Sequence, residues 1–279
     1  MSASGYTPSR RKIVLIGYGN VGTEVEKVLL ENGHQVDGIV RSSGAQEPDL
    51  FDEHTIAFIS VPSRGNGDEM LHYYTNALER GARIVTCEKA VLANHWQLVT
   101  DHPGRIKYSA TVGGNSGMLP AISDFEGNIE EIWAVVNGTL NYLSSALAQG
   151  QNEETIYAEV TSRGYAEPGA HSIQEVIRNE LQDVAYKAAI LANHSNLLSN
   201  AVKATEIELH EPEEGTGCAV HVRSGKLEAG FLPKTDRHLF PDGVNNVLYI
   251  NGGKVAEGPG AGARATALRM LMDFLEFEA

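Results

Sequence analysis

Two hydrophobic rhythms alternate along the chain. An apolar, β-branched run at 12–16 (KIVLI) ends on a glycine-rich turn. TEVEKVLLENG follows, with Val25, Val28 and Leu29 at helical spacing and Gly33 as a stop. QVDGIVRSS at 35–43 and IAFISVP at 56–62 are further strand candidates. DEMLHYYTNALERG at 68–81 predicts a helix ending at Gly81. ARIVTCEKA, from 82, reads as a strand entering a loop, and RIKYSATVGG, from 105, as one more strand. Strands alternating with helices predict a parallel sheet with crossover helices, an α/β class.

The texture changes at 112–120, where VGGNSGMLP is rich in glycine and ends in proline, as a domain boundary often does. Beyond it, IEEIWAVVNGTLNYL predicts a strand, a loop and the start of a helix. Residues 152–162 read as helix and GYAEPGAHS at 164–172 as a loop. IQEVIRNELQDVAYKAAILANH, from 173, is a long amphipathic segment. Residues 217–250 read as short strands with turns, and GPGAGARATALRMLMDFLEF as a glycine turn and a closing helix.

At 279 residues the chain suits two medium domains. Its formal net charge of −14 disfavours partners that are themselves polyanionic, so neither nucleic acid nor an anionic membrane surface is expected. No run approaches the roughly 20 apolar residues of a membrane span, and the first apolar run is short for a signal peptide. Cys87 and Cys218 make no disulfide framework, so a reduced, cytoplasmic protein is expected. The ten histidines occur singly, without the spacing of zinc ligands.

GYGNVG sits between a strand and a helix. In a dinucleotide fold Gly17 would make the tight turn, Gly19 would let a pyrophosphate approach the backbone, and Gly22 would let the helix pack close. The helix N-terminus then offers partial positive charge to phosphates, which lets an acidic protein hold an anionic cofactor. Gly17, Gly19, Asn20, Val21 and Gly22 are the expected contacts, with Val61 and Pro62 at the end of the third strand. The second strand ends on Arg41, Ser42 and Ser43 instead of an acidic residue. A guanidinium and hydroxyls suit a 2′-phosphate, so NADP is favoured, with NAD as the alternative. Asp37 lies too early in that strand for the ribose.

Seven blocks occur in an order that resembles the homoserine dehydrogenases: GYGNVG, VTCEKAVLAN (85–94), SATVGGNSGMLP (109–120), NGTLNY (137–142), GYAEP (164–168), DVAYKAAIL (183–191) and GPGAG (258–262). The resemblance implies a Rossmann cofactor domain at 1–111 completed by 255–279, whose last helix returns to it. It also implies an α+β substrate-binding and dimerisation domain at 112–254, a homodimer, and a place in amino-acid (threonine and methionine) biosynthesis. The reaction implied is NADP-dependent interconversion of aspartate semialdehyde and homoserine.

Lys187 follows Asp183 by four residues, so the two share a helix face. Spacing alone also suits a solvated ion pair worth ~0.3–0.5 kcal/mol. The resemblance instead implies Lys187 as the proton donor, Asp183 as a substrate contact, Glu167 as the acceptor of the substrate ammonium, and Lys89 beside nicotinamide and substrate. It places Gly258 near the cofactor, and it implies a monovalent-cation site on backbone oxygens of Val112, Gly114 and Ser116.

The pattern departs from the family in places. Ser109 replaces a glutamate of the cation site. Arg178 and Leu181 stand where an aspartate and a glycine are usual, Leu140 where a threonine is common, and Glu88 where an asparagine precedes the lysine. An inward Arg178 would favour a more anionic substrate, and an outward one homoserine. The competing readings are a related dehydrogenase for another small amino or hydroxy acid, and a non-catalytic NADP-binding sensor.

Overall fold

The computed structural model describes residues 11–41, 50–163, 165, 170–235, 239–260 and 262–278. Ser42, Ser43 and Glu167 lie outside them.

The first half builds a parallel sheet. Its elements are β1 (Lys12–Ile16), α1 (Asn20–Glu31), β2 (Gly38–Val40), β3 (Thr55–Ile59), α2 (Asp68–Glu79), β4 (Arg83–Thr86), α3 (Ala90–Asn94), α4 (Gln97–Asp101) and β5 (Ile106–Lys107). The strand order is β2-β1-β3-β4-β5, every pair parallel. The order reverses between β1 and β3, and the crevice beyond the carboxyl ends of such strands is where ligands bind in open α/β sheets. The strand expected from Arg105 to Gly114 is confined to Ile106–Lys107. Ser109–Thr111 curl into a single 3-10 turn, with the Ser109 N–H donating to Asp273 Oδ2 (2.8 Å).

MLPAIS forms a helix, α5 (Met118–Ser123), directly after the glycine-rich stretch. Pro120 sits in its first turn, where a missing N–H costs nothing. Then come β6 (Glu131–Val135), α6 (Gly138–Ala148), α7 (Glu153–Ser162) and α8 (Ile173–Ser195). Asn137, Asn152 and Ser172 cap the three helices, each accepting a backbone N–H. β7 (Leu209–His210), β8 (Thr216–Arg223), β9 (Lys226–Pro233), β10 (Asn245–Ile250) and β11 (Gly253–Pro259) complete a second sheet, ordered β11-β10-β6-β8-β9-β7. It is antiparallel except for β7 beside β9. β11 forms the edge of this sheet and ends at Pro259.

α9 (Ala263–Leu275) then returns to the first sheet. Its Ala267, Met270, Leu271 and Phe274 pack with Val25, Val28 and Leu29 of α1 on Ile13, Leu15 and Phe58. The opposite face of that sheet shares one core with α2, α3, α5, α6 and α8. In the second sheet the period-2 alternation is explicit. Ile132, Ala134, Val220, Val222, Leu248 and Ile250 join that core, while Trp133, Val135, Ala219, Leu232, Val247 and Tyr249 form a separate apolar face with Phe240. No helix among the described residues is long and apolar enough to cross a membrane.

Candidate active site

The glycine turn sits at the switch point. Gly17 has φ +90°, and a Cβ there would meet the Ser60 carbonyl oxygen at 2.7 Å. The Ser60 hydroxyl donates to the Gly17 carbonyl (3.0 Å), tying the end of β3 to the turn. A Cβ on Gly22 would collide with that same carbonyl, so α1 can approach only with glycine there. Gly19 differs: a Cβ would meet nothing within 4 Å. Its backbone borders open space, no side chain caps α1, and no acidic residue occupies its first turn. Asn20 and Val21 open the helix beside it, and Val61 packs against the Gly17 position. This cradle fits a dinucleotide pyrophosphate. Arg41 follows β2, with its guanidinium 4.7 Å from the centre of the Tyr18 ring. Asp37 instead accepts the Ile13 N–H (2.8 Å) at the start of β1.

The loop after β4 is built on Glu88. This buried carboxylate accepts the N–H groups of Ala90 (2.6 Å) and Val91 (3.1 Å), and the Tyr74 hydroxyl (3.4 Å). Burial pushes its pKa up, opposed by those backbone bonds. Glu88 thus caps α3 and fixes the direction of its neighbour Lys89, whose own N–H donates to Ser63 Oγ (2.7 Å). Replacing Glu88 by alanine orphans two buried N–H groups, while the Tyr74 hydroxyl keeps Thr86 Oγ1 (2.7 Å). The expected loss is about 2 kcal/mol of stability, read from urea unfolding.

Lys89, Lys187, Asp183 and Asn137 converge from three elements. Lys187 Nζ donates to Asp183 Oδ2 (2.6 Å) and to the Val136 carbonyl at the end of β6 (2.8 Å). Lys89 Nζ lies 3.3 Å from Asp183 Oδ1. Asn137, the cap of α6, uses its Oδ1 on the Leu140 N–H and its Nδ2 on Asp183 Oδ2 (3.1 Å) and Glu180 Oε2 (2.6 Å). The side-chain exposures of Lys187 (11%), Asp183 (25%) and Lys89 (22%) set the cluster apart from a solvated surface pair. Burial raises the Asp183 pKa, but the ammoniums of Lys187 and Lys89 outweigh it and hold the carboxyl at about 2. Burial works against the Lys89 ammonium, but Asp183, with Cys87 and Glu88, outweighs it, so the Lys89 pKa is raised. Asp183 therefore stays ionised across the neutral range.

Sequence reasoning named Lys89, Lys187 and Asp183, placed Asn137 only within the NGTLNY block, and missed Glu180. Its signal was present: Glu180 precedes Asp183 by three residues on one helix face. Arg178 is exposed. It lies five residues before Asp183, so it is turned roughly 140° around the helix, and the pocket gains no cation from it. Leu181, in place of the usual glycine, is buried in the core and lets α8 run unbroken from Ile173.

Gly258 and Gly260 pass beside Gly114 and Ser116. A Cβ on Gly114 would meet the Gly260 carbonyl at 2.8 Å, and one on Gly260 would collide with the Asn246 amide. Gly258 has no such conflict, its Cβ direction meeting Ser116 at an ordinary 3.5 Å. So of these two it is Gly260 that must lack a side chain. Val112 is fully buried, and the Ser116 hydroxyl is buried without a hydrogen-bond partner among the described residues. No group of three or more His, Cys, Asp or Glu among the described residues is arranged to hold a metal ion. Cys87 and Cys218 are free thiols. Burial pushes Cys87 to about 11, so it is not a nucleophile at neutral pH.

Comparison with known proteins follows the same outline. The family model for homoserine dehydrogenase matches residues 122–275. The homoserine dehydrogenase of Sulfurisphaera tokodaii is 26% identical, over 95% of this chain and 97% of that one. That of Lactococcus lactis is 22% identical, over 94% of this chain and 73% of the relative. Among solved structures, a hyperthermophilic archaeal homoserine dehydrogenase in complex with NADPH superposes with a TM-score of 0.75 at 21% identity, covering 96% of this chain and 97% of that one. The enzyme from Thermoplasma acidophilum gives 0.76 at 19% identity, covering 96% and 99%. Fold, ordered motifs and family match agree, and the chain is a member of the homoserine dehydrogenase family of NAD(P)-dependent oxidoreductases.

Proposed function

We propose that the protein interconverts aspartate semialdehyde and homoserine with NADP(H). The observation that carries this reading is the Lys187–Asp183–Lys89 cluster, which faces Asn137 and is partly shielded from water. The nicotinamide supplies or accepts the hydride, and a reduced aldehyde then needs a proton on its developing alkoxide. Lys187 provides it: two of its three N–H donors are held by Asp183 and Val136, and the third serves the substrate oxygen. Asp183 fixes the direction of that ammonium. Lys89 holds the substrate carboxylate or polarises the carbonyl. The outward Arg178 favours homoserine over a more anionic substrate. In this reading the first sheet with α9 binds the cofactor, and the second sheet with α5 to α8 binds substrate.

NADP is preferred over NAD because Arg41 closes β2 beside the glycine turn, where a 2′-phosphate would lie. Replacing Arg41 by alanine is expected to lower the NADP-to-NAD ratio of kcat/KM by roughly 10- to 100-fold, the worth of one charge-assisted contact. An unchanged ratio would remove Arg41 from that role.

A homodimer belongs to this proposal. Leu239, 67% exposed beside the buried cluster of Trp133, Phe240 and Tyr249, is an apolar side chain that a second copy would cover. A cytoplasmic setting is supported by the two free thiols. The deciding assay is oxidation of L-homoserine with NADP at alkaline pH, followed by the absorbance of the reduced cofactor. Turnover supports the reading. Clear NADPH binding without turnover of homoserine overturns it.

A further inference from the structure

Glu180 belongs to none of the motifs that place this chain in its family, yet it lies inside the cluster. One nitrogen, Asn137 Nδ2, donates to both Glu180 Oε2 (2.6 Å) and Asp183 Oδ2 (3.1 Å). The two carboxylates therefore stand no further apart than two hydrogen bonds to a shared atom. Asn137 is itself buried and fixed by its second role as the cap of α6, so it cannot swing away to relax them. Leu181 locks the same stretch of α8 from the other side by packing into the core.

The charges are ordered in space. Lys89 lies on Asp183 Oδ1, Lys187 and Asn137 share Oδ2, and Glu180 lies beyond Asn137. Cations gather at one end of the cluster and a second carboxylate marks the other. A zwitterionic amino acid presents a carboxylate and an ammonium in the same sense. Its ammonium, placed against Glu180, would make a charge-assisted hydrogen bond to that carboxylate while the substrate carboxylate faces the cationic end. We propose that Glu180 is a specificity-determining residue that receives the α-ammonium of the substrate at the edge of the Asn137–Asp183 pair, in addition to Glu167, to which the family resemblance gives that role. The proposal rests on the homoserine reading and adds the residue that selects an amino acid over its deaminated counterpart. On the unbroken helix Arg178 turns outward and Glu180 brings its carboxylate to the cluster.

The test compares wild type with Glu180→Gln and Glu180→Asp. The readouts are kcat and KM for L-homoserine, and Ki for γ-hydroxybutyrate, which has the same hydroxyl and carboxylate but no amino group. Glu180→Gln is expected to raise KM for homoserine about tenfold or more, with kcat falling less than about threefold and Ki of the analogue moving less than about twofold. Glu180→Asp recovers part of the lost affinity. An unchanged KM overturns the proposal. So does a parallel rise of KM and Ki, or a fall in kcat alone, the pattern of a residue acting only through Asn137. A wild type that binds NADPH but does not turn over homoserine overturns the underlying reading, and this inference with it.

Discussion

Replacing Lys187 by alanine lowers kcat for homoserine oxidation by about 10²–10⁴, the usual worth of a positioned acid–base group, while the affinity for NADPH is retained. The separation follows from the geometry. Lys187 reaches Asp183 and the Val136 carbonyl, both remote in sequence from the glycine turn that would hold the cofactor. The loss is not one of electrostatic glue alone, since Lys89 and Asn137 still hold Asp183 in place. Removing the ammonium leaves a buried carbonyl without its donor, at about 1–3 kcal/mol of stability. Lys187→Met, which keeps the apolar stem, separates that packing loss from the chemical one. Arginine does not restore activity, because a guanidinium cannot give up its proton near neutral pH. A methionine variant retaining a tenth or more of wild-type kcat would show that the proton comes from elsewhere.

Replacing Asp273 by asparagine stabilises the protein at neutral and alkaline pH and does so much less in acid. Asp273 lies on α9, 1% exposed, with Oδ2 accepting the Ser109 N–H and Oδ1 buried without a partner among the described residues. Burial raises its pKa from 3.8 to about 6, against the pull of Ser109 and Arg269. A carboxyl whose folded pKa is raised contributes stability that is full below its unfolded value and lost as pH rises through the folded one. The interval corresponds to about 3 kcal/mol, withdrawn between about pH 4 and pH 7. Asparagine retains an oxygen for Ser109 and carries no charge. Denaturant unfolding should therefore show the variant gaining about 2–3 kcal/mol relative to wild type between about pH 4 and about pH 8. Identical gains at both pH values would show that Asp273 is not the titrating group.

Much of the cofactor half was legible in the chain because its determinants are local. Gly17 and Gly22 are demanded by turn geometry and by the approach of α1, over six residues between a strand and a helix. The alternation of strands and helices gave the parallel sheet for the same reason. The strand expected after Arg105 shortened to two residues because Asp273, far away in sequence, draws the Ser109 N–H into a turn. Pro120 falls in the first turn of a helix, where proline is tolerated. The lysine–aspartate spacing was visible, and its meaning was not. An i,i+4 pair looks the same on paper whether it is solvated or faces a buried asparagine from another helix.

The sequence by itself determined the dinucleotide turn, the family, and the helix face shared by Asp183 and Lys187, since each depends on contacts within a few residues or on motifs in order. Only the tertiary structure decided that Lys89, Asn137 and Glu180 join that face, that Arg178 turns away from it, that Glu88 caps α3, and that Asp273 is buried under Ser109. Those outcomes depend on which distant segments the packed core brings together, and burial converts the same charges from solvated side chains into a directed array.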